Sequence, residues 1–114
     1  MTIRNEDFKV AGRILFRHVE PKYGRPYLHT CSEAVFKEVL RVIDEAGGRS
    51  FTGEDLVGWT DAPHTQVFTA LAFLKERGCT MTAHGRKNVA PTIFDVALDG
   101  MTEFEAAAHT GEWI

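Results

Sequence analysis

FTGEDLVGWTDAPHTQVFTALAFLKERGCTMTAHGRKNVAPT, residues 51–92, is the stretch that decides the fold. Thr52 is placed to cap a short helix that begins at Gly53, because its hydroxyl can accept from the free amides of the first turn. A longer helix is predicted over 61–77, where apolar residues recur at helical spacing and a glycine follows: Val67, Ala70, Leu71, Leu74 and Gly78. A hairpin comes next, with a basic tip at His84–Asn88.

The order of short helix, tight turn, longer helix and basic hairpin resembles the winged helix-turn-helix over about Thr30 to Val96. In that family the second helix places its first residues against base edges in the DNA major groove, and the hairpin contacts the backbone. The resemblance therefore implies a small DNA-binding protein, a transcriptional regulator or accessory factor, with 61–77 as its recognition helix. It is a likeness of architecture and implies no particular subfamily.

The segments on either side are predicted to be mainly helical. Thr30 and Glu33 form a capping box for a helix that two glycines end at Gly47. Asn5–Val19 has apolar residues on one helical face, although a strand over Ile14–Val19 competes with that interpretation.

A second capping box, Thr102 with Glu105, predicts a helix near the end of the chain. The expected fold is mostly α with a small β-hairpin: a winged-helix three-helix core at 30–96, an N-terminal extension at 1–29, and a C-terminal helix and tail at 97–114. All of it is expected to form a single domain, 1–114.

Composition limits the class of protein. A chain of 114 residues with 44% hydrophobic content is expected to bury one core without disulfides. Cys31 and Cys79 do not form a CxxC pair and are expected to be free thiols in a reducing cytoplasm. No apolar run approaches the ~18 residues of a membrane span, and no signal-peptide core is present. A soluble, cytoplasmic protein without membrane contact is expected.

Charge is distributed unevenly along the chain, although the net charge is only −3. Residues 1–31 carry six Lys/Arg against three Asp/Glu, and 61–91 carry four against two. Residues 32–60 and 92–114 are acidic. Such asymmetry can focus a positive field on one face of an acidic protein.

The candidate DNA contacts follow from the resemblance and from this charge pattern. The first turns of the recognition helix offer side chains that can bond bases: His64, Thr65, Gln66 and Thr69. Arg86 and Lys87 at the hairpin tip are expected to reach phosphate. Arg13 and Arg17 lie at helical spacing with Lys9, so a helix would align them along a DNA backbone, unless they only solvate the surface.

Other functions are weighed against DNA binding. A protein-interaction module would receive its partner in the groove around Phe68, Phe73 and the hairpin. A homodimer is plausible through the N-terminal segment and the C-terminal helix with Trp113. A third interpretation has the acidic segment from Thr92 onward fold over the basic face and mask it.

Metal and enzyme sites have little support in the sequence. His29 with Cys31, and Cys79 with His84, do not match the usual zinc spacings, so no metal is predicted. Phosphate loops, GxSxG and HExxH are all missing from the sequence, so no enzyme activity and no cofactor are predicted.

Overall fold

A computed structural model describes residues 3–85, 87–90 and 95–114, with only the backbone of His84. Its elements in chain order are β1 (Ile3–Ala11), β2 (Ile14–Pro21), β3 (Tyr27–Ser32), α1 (Glu33–Glu45), α2 (Gly53–Thr60), α3 (His64–Glu76), β4 (Met81–His84), β5 (Lys87–Val89) and α4 (Val96–Thr110). The first three strands form an antiparallel sheet in the order β1-β2-β3, and β4 pairs with β5 in a separate hairpin.

Residues 3–21 form a β-hairpin, so the helix predicted over Asn5–Val19 is wrong and its competitor, a strand over Ile14–Val19, is right. The turn consists of Gly12 and Arg13, with φ of 58° and 61°. Two left-handed residues match the twist of the flanking strands, which is why this turn type joins hairpins.

The third strand completes the sheet, so the described part of the predicted 1–29 extension is a structured layer. β3 pairs with β2 from Val19↔Tyr27 to Ile14↔Ser32. One face of the sheet contributes fully buried side chains to the core: Phe8, Val10, Leu15, Val19 and Cys31. The sheet packs against α3, α1 and α4, which places the core between the sheet and the helices.

The helices α1 and α2 were both predicted, with one change of cap. Ser32 caps α1, its Oγ accepting from the amide of Val35 at 3.2 Å. The predicted cap, Thr30, is wrong because Thr30 is held in β3, opposite Phe16. At α2 the predicted cap Thr52 is confirmed.

The other predicted elements have different boundaries in the structure. α3 is shorter than the predicted 61–77, because Asp61 adopts a left-handed φ of 56° that ends α2. α4 begins before the predicted Thr102, since Asp95 caps it by accepting from the amides of Ala97 and Leu98. The hairpin is present, but three residues of the predicted tip 84–88 belong to its strands, namely His84, Lys87 and Asn88. Arg86 and residues 91–94 lie outside the described part of the chain.

The predicted fold class, a mostly α winged-helix domain, is wrong. Helix makes up 46% and strand 28% of the described residues, in two sheets and four helices. The domain is therefore α+β. Its N-terminal sheet, rather than solvent, covers the helix that was predicted to enter a DNA groove.

Candidate functional site

Helix α3 lies inside the domain, and this removes part of the predicted base-reading surface. It packs against β3 and β2 on one side and against α1 and α2 on the others. Thr69 is fully buried, and its Oγ1 donates to the carbonyl of Thr65 at 2.8 Å. Gln66 accepts from the amide of Ser32 at 3.0 Å through Oε1. Thr69 is therefore not accessible to a base edge, and Gln66 Oε1 is already engaged by the backbone of Ser32.

Three of the other predicted contacts are exposed. His64 and Thr65 lie at the exposed start of α3, and Lys87 is exposed on β5. The His64 ring stacks on Phe68 with ring centres 4.4 Å apart. Arg86 lies outside the described residues. DNA binding thus stays a prediction, with a smaller set of side chains to carry it.

Arg13 and Arg17 do not form the predicted row of free cations. Arg13, at the hairpin turn, pairs with both Glu33 of α1 and Glu105 of α4. These bonds raise the pKa of the Arg13 guanidinium, and Arg13 in turn holds the pKa values of Glu33 and Glu105 below the usual range. Arg17 Nε lies 2.6 Å from Glu6 Oε2. Both arginines therefore connect elements of the fold.

The exposed stripe of α3 forms the floor of a recess beside the β4-β5 hairpin. The two neighbouring recesses along this side of α3 are together called the α3 groove. The first has a volume of about 230 Å³ and is lined by Phe68, Leu71, Ala72, Lys75, Gly53, Glu54, Asn88 and Arg17. The second, of about 270 Å³, is lined by Ile3, Glu6, Glu76, Arg17, Ala72 and Lys75. Three residues, Arg17, Ala72 and Lys75, line both recesses, so the two recesses are adjacent.

The first recess agrees in part with the predicted partner groove. Phe68 forms one wall of it, as predicted, and the hairpin contributes Asn88. Phe73, in contrast, is fully buried in the core and lines neither recess. Gly53 lets α2 approach closely, because a Cβ there would meet the ring of Phe68. No pattern in the sequence indicated this close approach.

The α3 groove is lined by side chains of both charges, and not all of them form ion pairs with one another. Arg17 is paired with Glu6. The ammonium group of Lys75 forms no ion pair with any residue that the structure describes. Lys75 lies in the last turn of α3, where its charge complements the helix dipole. The Lys75 side chain also lies at the boundary between the two recesses, both of which it lines.

A larger recess, of about 350 Å³, lies between α1 and α2 and includes the half-exposed Trp59. The two cations that line it are held by their own neighbours. Arg41 pairs with Glu38 and Glu45, and Arg49 donates to the carbonyl of Ala46 at 3.0 Å. The recess therefore offers less free hydrogen-bonding capacity than its size suggests.

A close pair of carboxylates, Asp44 and Asp95, has a structural use. Asp44 accepts from the amides of Val96 and Ala97, and Asp95 caps the same helix. Burial, and then the neighbouring Asp95, raise the pKa of Asp44, while the amide of Leu98 lowers that of Asp95. Both carboxylates already accept hydrogen bonds from amides at the start of α4. We therefore interpret them as helix caps rather than as an acid/base pair.

The two cysteines are free and buried. Burial raises the pKa of Cys31 to about 12 and that of Cys79 to about 11, so both are thiols rather than thiolate ligands at neutral pH. Within the described residues no three His, Cys, Asp or Glu side chains are grouped as metal ligands would be.

Comparison of the chain with known protein families, with curated proteins and with solved structures gave no match. None of the described helices combines the length and the apolar character needed to cross a membrane.

Proposed function

We propose that this domain is a protein-interaction module that binds an extended peptide segment of a partner in the α3 groove. The observation that supports this most strongly is the pair of adjacent recesses along one side of α3, a helix whose other sides are packed in the domain. A rigid helix with packed neighbours on three sides holds such a groove open without a partner, which reduces the entropic cost of binding.

The size of the recesses favours a peptide over a cofactor. Each is smaller than the roughly 300–1,000 Å³ of a typical small-molecule pocket, at about 230 and 270 Å³. In an extended peptide every second side chain points the same way, roughly 6.6 Å apart. Two neighbouring recesses of side-chain size suit this repeat.

The lining residues indicate which peptide would bind. Phe68 and Leu71 give the first recess an apolar wall, so it suits an aliphatic or aromatic side chain. Lys75, at the boundary between the recesses, suits a carboxylate, because its ammonium group forms no ion pair with any described residue. The proposed ligand is an extended segment with an apolar anchor close to an acidic residue.

The test is a selection of displayed random peptides on the wild-type protein, followed by affinity measurement on variants. Lys75→Glu reverses the charge at the boundary, and Ala72→Gln narrows both recesses. Lys22→Glu is the matched control, since it makes the same charge change at an exposed site outside the groove. Far-UV circular dichroism and a thermal melt establish that each variant is folded.

We expect the selected peptides to share an apolar residue and a nearby acid. Lys75→Glu removes the contact with Lys75 and should weaken the binding of these peptides about fivefold, which corresponds to a binding free energy of roughly 1 kcal/mol. Ala72→Gln should weaken it further, and Lys22→Glu should not. Failure to enrich any peptide, or equal binding to wild type and Ala72→Gln, would refute the proposal.

The same samples test DNA binding, which uses a different set of contacts. A random-sequence duplex titrated at two salt concentrations should show salt-dependent affinity if phosphate contacts dominate. Binding that is lost in Lys87→Ala and retained in Ala72→Gln would support the DNA prediction and count against the peptide groove as the main function.

A further inference from the structure

The backbone bonds of Phe8 show which strand residues point out of the N-terminal sheet. Phe8 exchanges hydrogen bonds of 2.8 and 2.7 Å with Ile114, so its amide and carbonyl face away from β2. Its partner on β2, Arg17, then faces β3 and bonds to His29, because hydrogen-bonded and non-hydrogen-bonded pairs alternate along an antiparallel ladder. The even-numbered residues of β3 therefore point their amides and carbonyls outward, away from β2.

Leu28 and Thr30 are the open positions of this outward side of β3. At Ser32, the next even-numbered residue, the amide donates to Gln66 Oε1 at 3.0 Å, which agrees with the outward direction. The outward amides and carbonyls of Leu28 and Thr30 have no partner among the residues that the structure describes. Pro26 limits the stretch at its other end, since proline has no amide hydrogen. The outward backbone groups of Leu28 and Thr30 are called the β3 edge; they are two donors and two acceptors.

Side chains next to the β3 edge differ on the two faces of the sheet. Leu28 lies on the face that does not contribute to the core and is 51% exposed; Thr30, on the same face, is also exposed. Tyr27 and His29 lie on the opposite face, where their ring centres are 4.6 Å apart. A strand added at this edge would place alternate side chains beside an aliphatic residue and beside an aromatic pair.

The chemistry of the β3 edge determines the kind of partner. Donors and acceptors that recur along a strand are matched by the backbone of another extended polypeptide, whereas the phosphate oxygens of DNA are acceptors only. A stable homodimer buries about 1,200–2,000 Å², more than so short a stretch can supply, but a short linear segment needs only this stretch. The chain itself shows this mode of closure, since Ile114 pairs with Phe8 at the edge of β1.

We propose that the β3 edge binds an extended segment of a partner protein, which adds a strand to the N-terminal sheet. The residue of the segment opposite His29 is aromatic, and its two neighbours, beside Leu28 and Thr30, are β-branched, because such cross-strand pairs stabilise a sheet. None of these three residues lines the α3 groove. The inference therefore goes beyond the proposed function and does not depend on it.

The experiment is an NMR titration of the ¹⁵N-labelled full chain with the capped pentapeptide Thr-Val-Phe-Val-Thr. Four backbone hydrogen bonds correspond to a dissociation constant on the order of 1 mM, so the titration extends to about 5 mM. In antiparallel pairing the two valines face the β3 edge and the phenylalanine amide faces away. A peptide N-methylated at both valines therefore loses its donors, and one N-methylated at phenylalanine is the matched control.

One pair of protein variants tests the same contact from the other side. Thr30→Pro removes an outward amide, and proline is tolerated where a strand amide points away from the sheet. Thr30→Val is its matched control, because it keeps the amide and the β-branched shape. Ala72→Gln separates this site from the α3 groove. Far-UV circular dichroism establishes folding, and if Thr30→Pro does not fold, the methylated peptides still decide.

We expect the peptide to shift the Leu28 and Thr30 amide resonances and to slow their exchange with water about sixfold at 5 mM. Methylation at phenylalanine, Thr30→Val and Ala72→Gln should leave the affinity unchanged, whereas methylation at both valines and Thr30→Pro should weaken it at least fivefold. Absence of shifts at these two amides, or equal binding of the two methylated peptides, overturns the proposal. Shifts that appear when the protein is concentrated without peptide also overturn it, because they place a second copy at the edge.

Discussion

Replacing Gly100 by Ala tests whether α4 packs on α1 and α3 as closely as the structure indicates. Gly100 lies inside α4 and is buried. A Cβ at this position would lie 3.0 Å from Leu40 Cδ1 and 3.1 Å from Leu74 Cδ2, and closer still to Leu40 Cδ2. These separations are shorter than ordinary van der Waals contact, so at least one leucine must move.

Two opposing terms set the expected effect of Gly100→Ala. Alanine is favoured over glycine in a helix interior by about 1 kcal/mol. Forcing an extra methyl group into a packed core costs about 1–3 kcal/mol. We therefore expect a net loss of about 1 kcal/mol in the free energy of unfolding, which in urea lowers the midpoint by roughly 0.5 M.

Gly58→Ala provides the matched control, because it makes the same change inside another helix. Gly58 is exposed in α2, and a Cβ there would have nothing within 4 Å. Only the helix term remains, so this variant should be more stable by about 0.5–1 kcal/mol. Urea unfolding followed by circular dichroism measures both. If the two midpoints move in the same direction, the close packing around Gly100 is wrong.

Two further expectations concern charge and thiol chemistry. Arg13 holds the pKa values of Glu33 and Glu105 below their usual 4.5, so the stability it supplies is present at neutral pH and is lost as pH falls through the folded-state values. Arg13→Gln should thus lower the urea midpoint at about pH 7 but much less at about pH 3. Arg25→Gln, an exposed control, should leave the midpoint unchanged at both pH values. An equal loss at both pH values in Arg13→Gln would contradict the ion-pair explanation. The Cys31 thiol, with its pKa raised to about 12 by burial, should resist a disulfide reagent at about pH 8 until urea unfolds the chain, and rapid labelling of the native protein would show that it is accessible.

The sequence predicted the middle of the fold better than its ends. The cap at Thr52 and the periodic apolar residues of α3 are local signals, and both led to the right element. The helix at the N-terminus was wrong because Phe8, Leu15 and Val19 fit a helical face as well as two strands. The deciding residue was Gly12, since a glycine in mid-helix is costly but suits a hairpin turn.

The candidate site was harder to predict because it depends on packing between distant segments. On an isolated helix, the side chains of Gln66 and Thr69 would be free to contact bases. In the folded domain they are not free only because the N-terminal sheet covers α3. Arg17 looked free for the same reason, since Glu6 becomes its neighbour only when β1 pairs with β2. Phe68 and Phe73 were both predicted to line a partner groove, but only Phe68 lines a recess, because Phe73 is fully buried.

The two edges of the N-terminal sheet each carry an added hydrogen-bonding partner, and this has a consequence for solubility. At β1 the backbone of Phe8 is engaged by Ile114, and at β3 the amide of Ser32 is engaged by the side chain of Gln66. A strand edge with free amides and carbonyls recruits strands of other molecules and starts aggregation. Ile114 and Gln66 each occupy one backbone position at a sheet edge and so shorten the run of free amides and carbonyls that another strand could pair with.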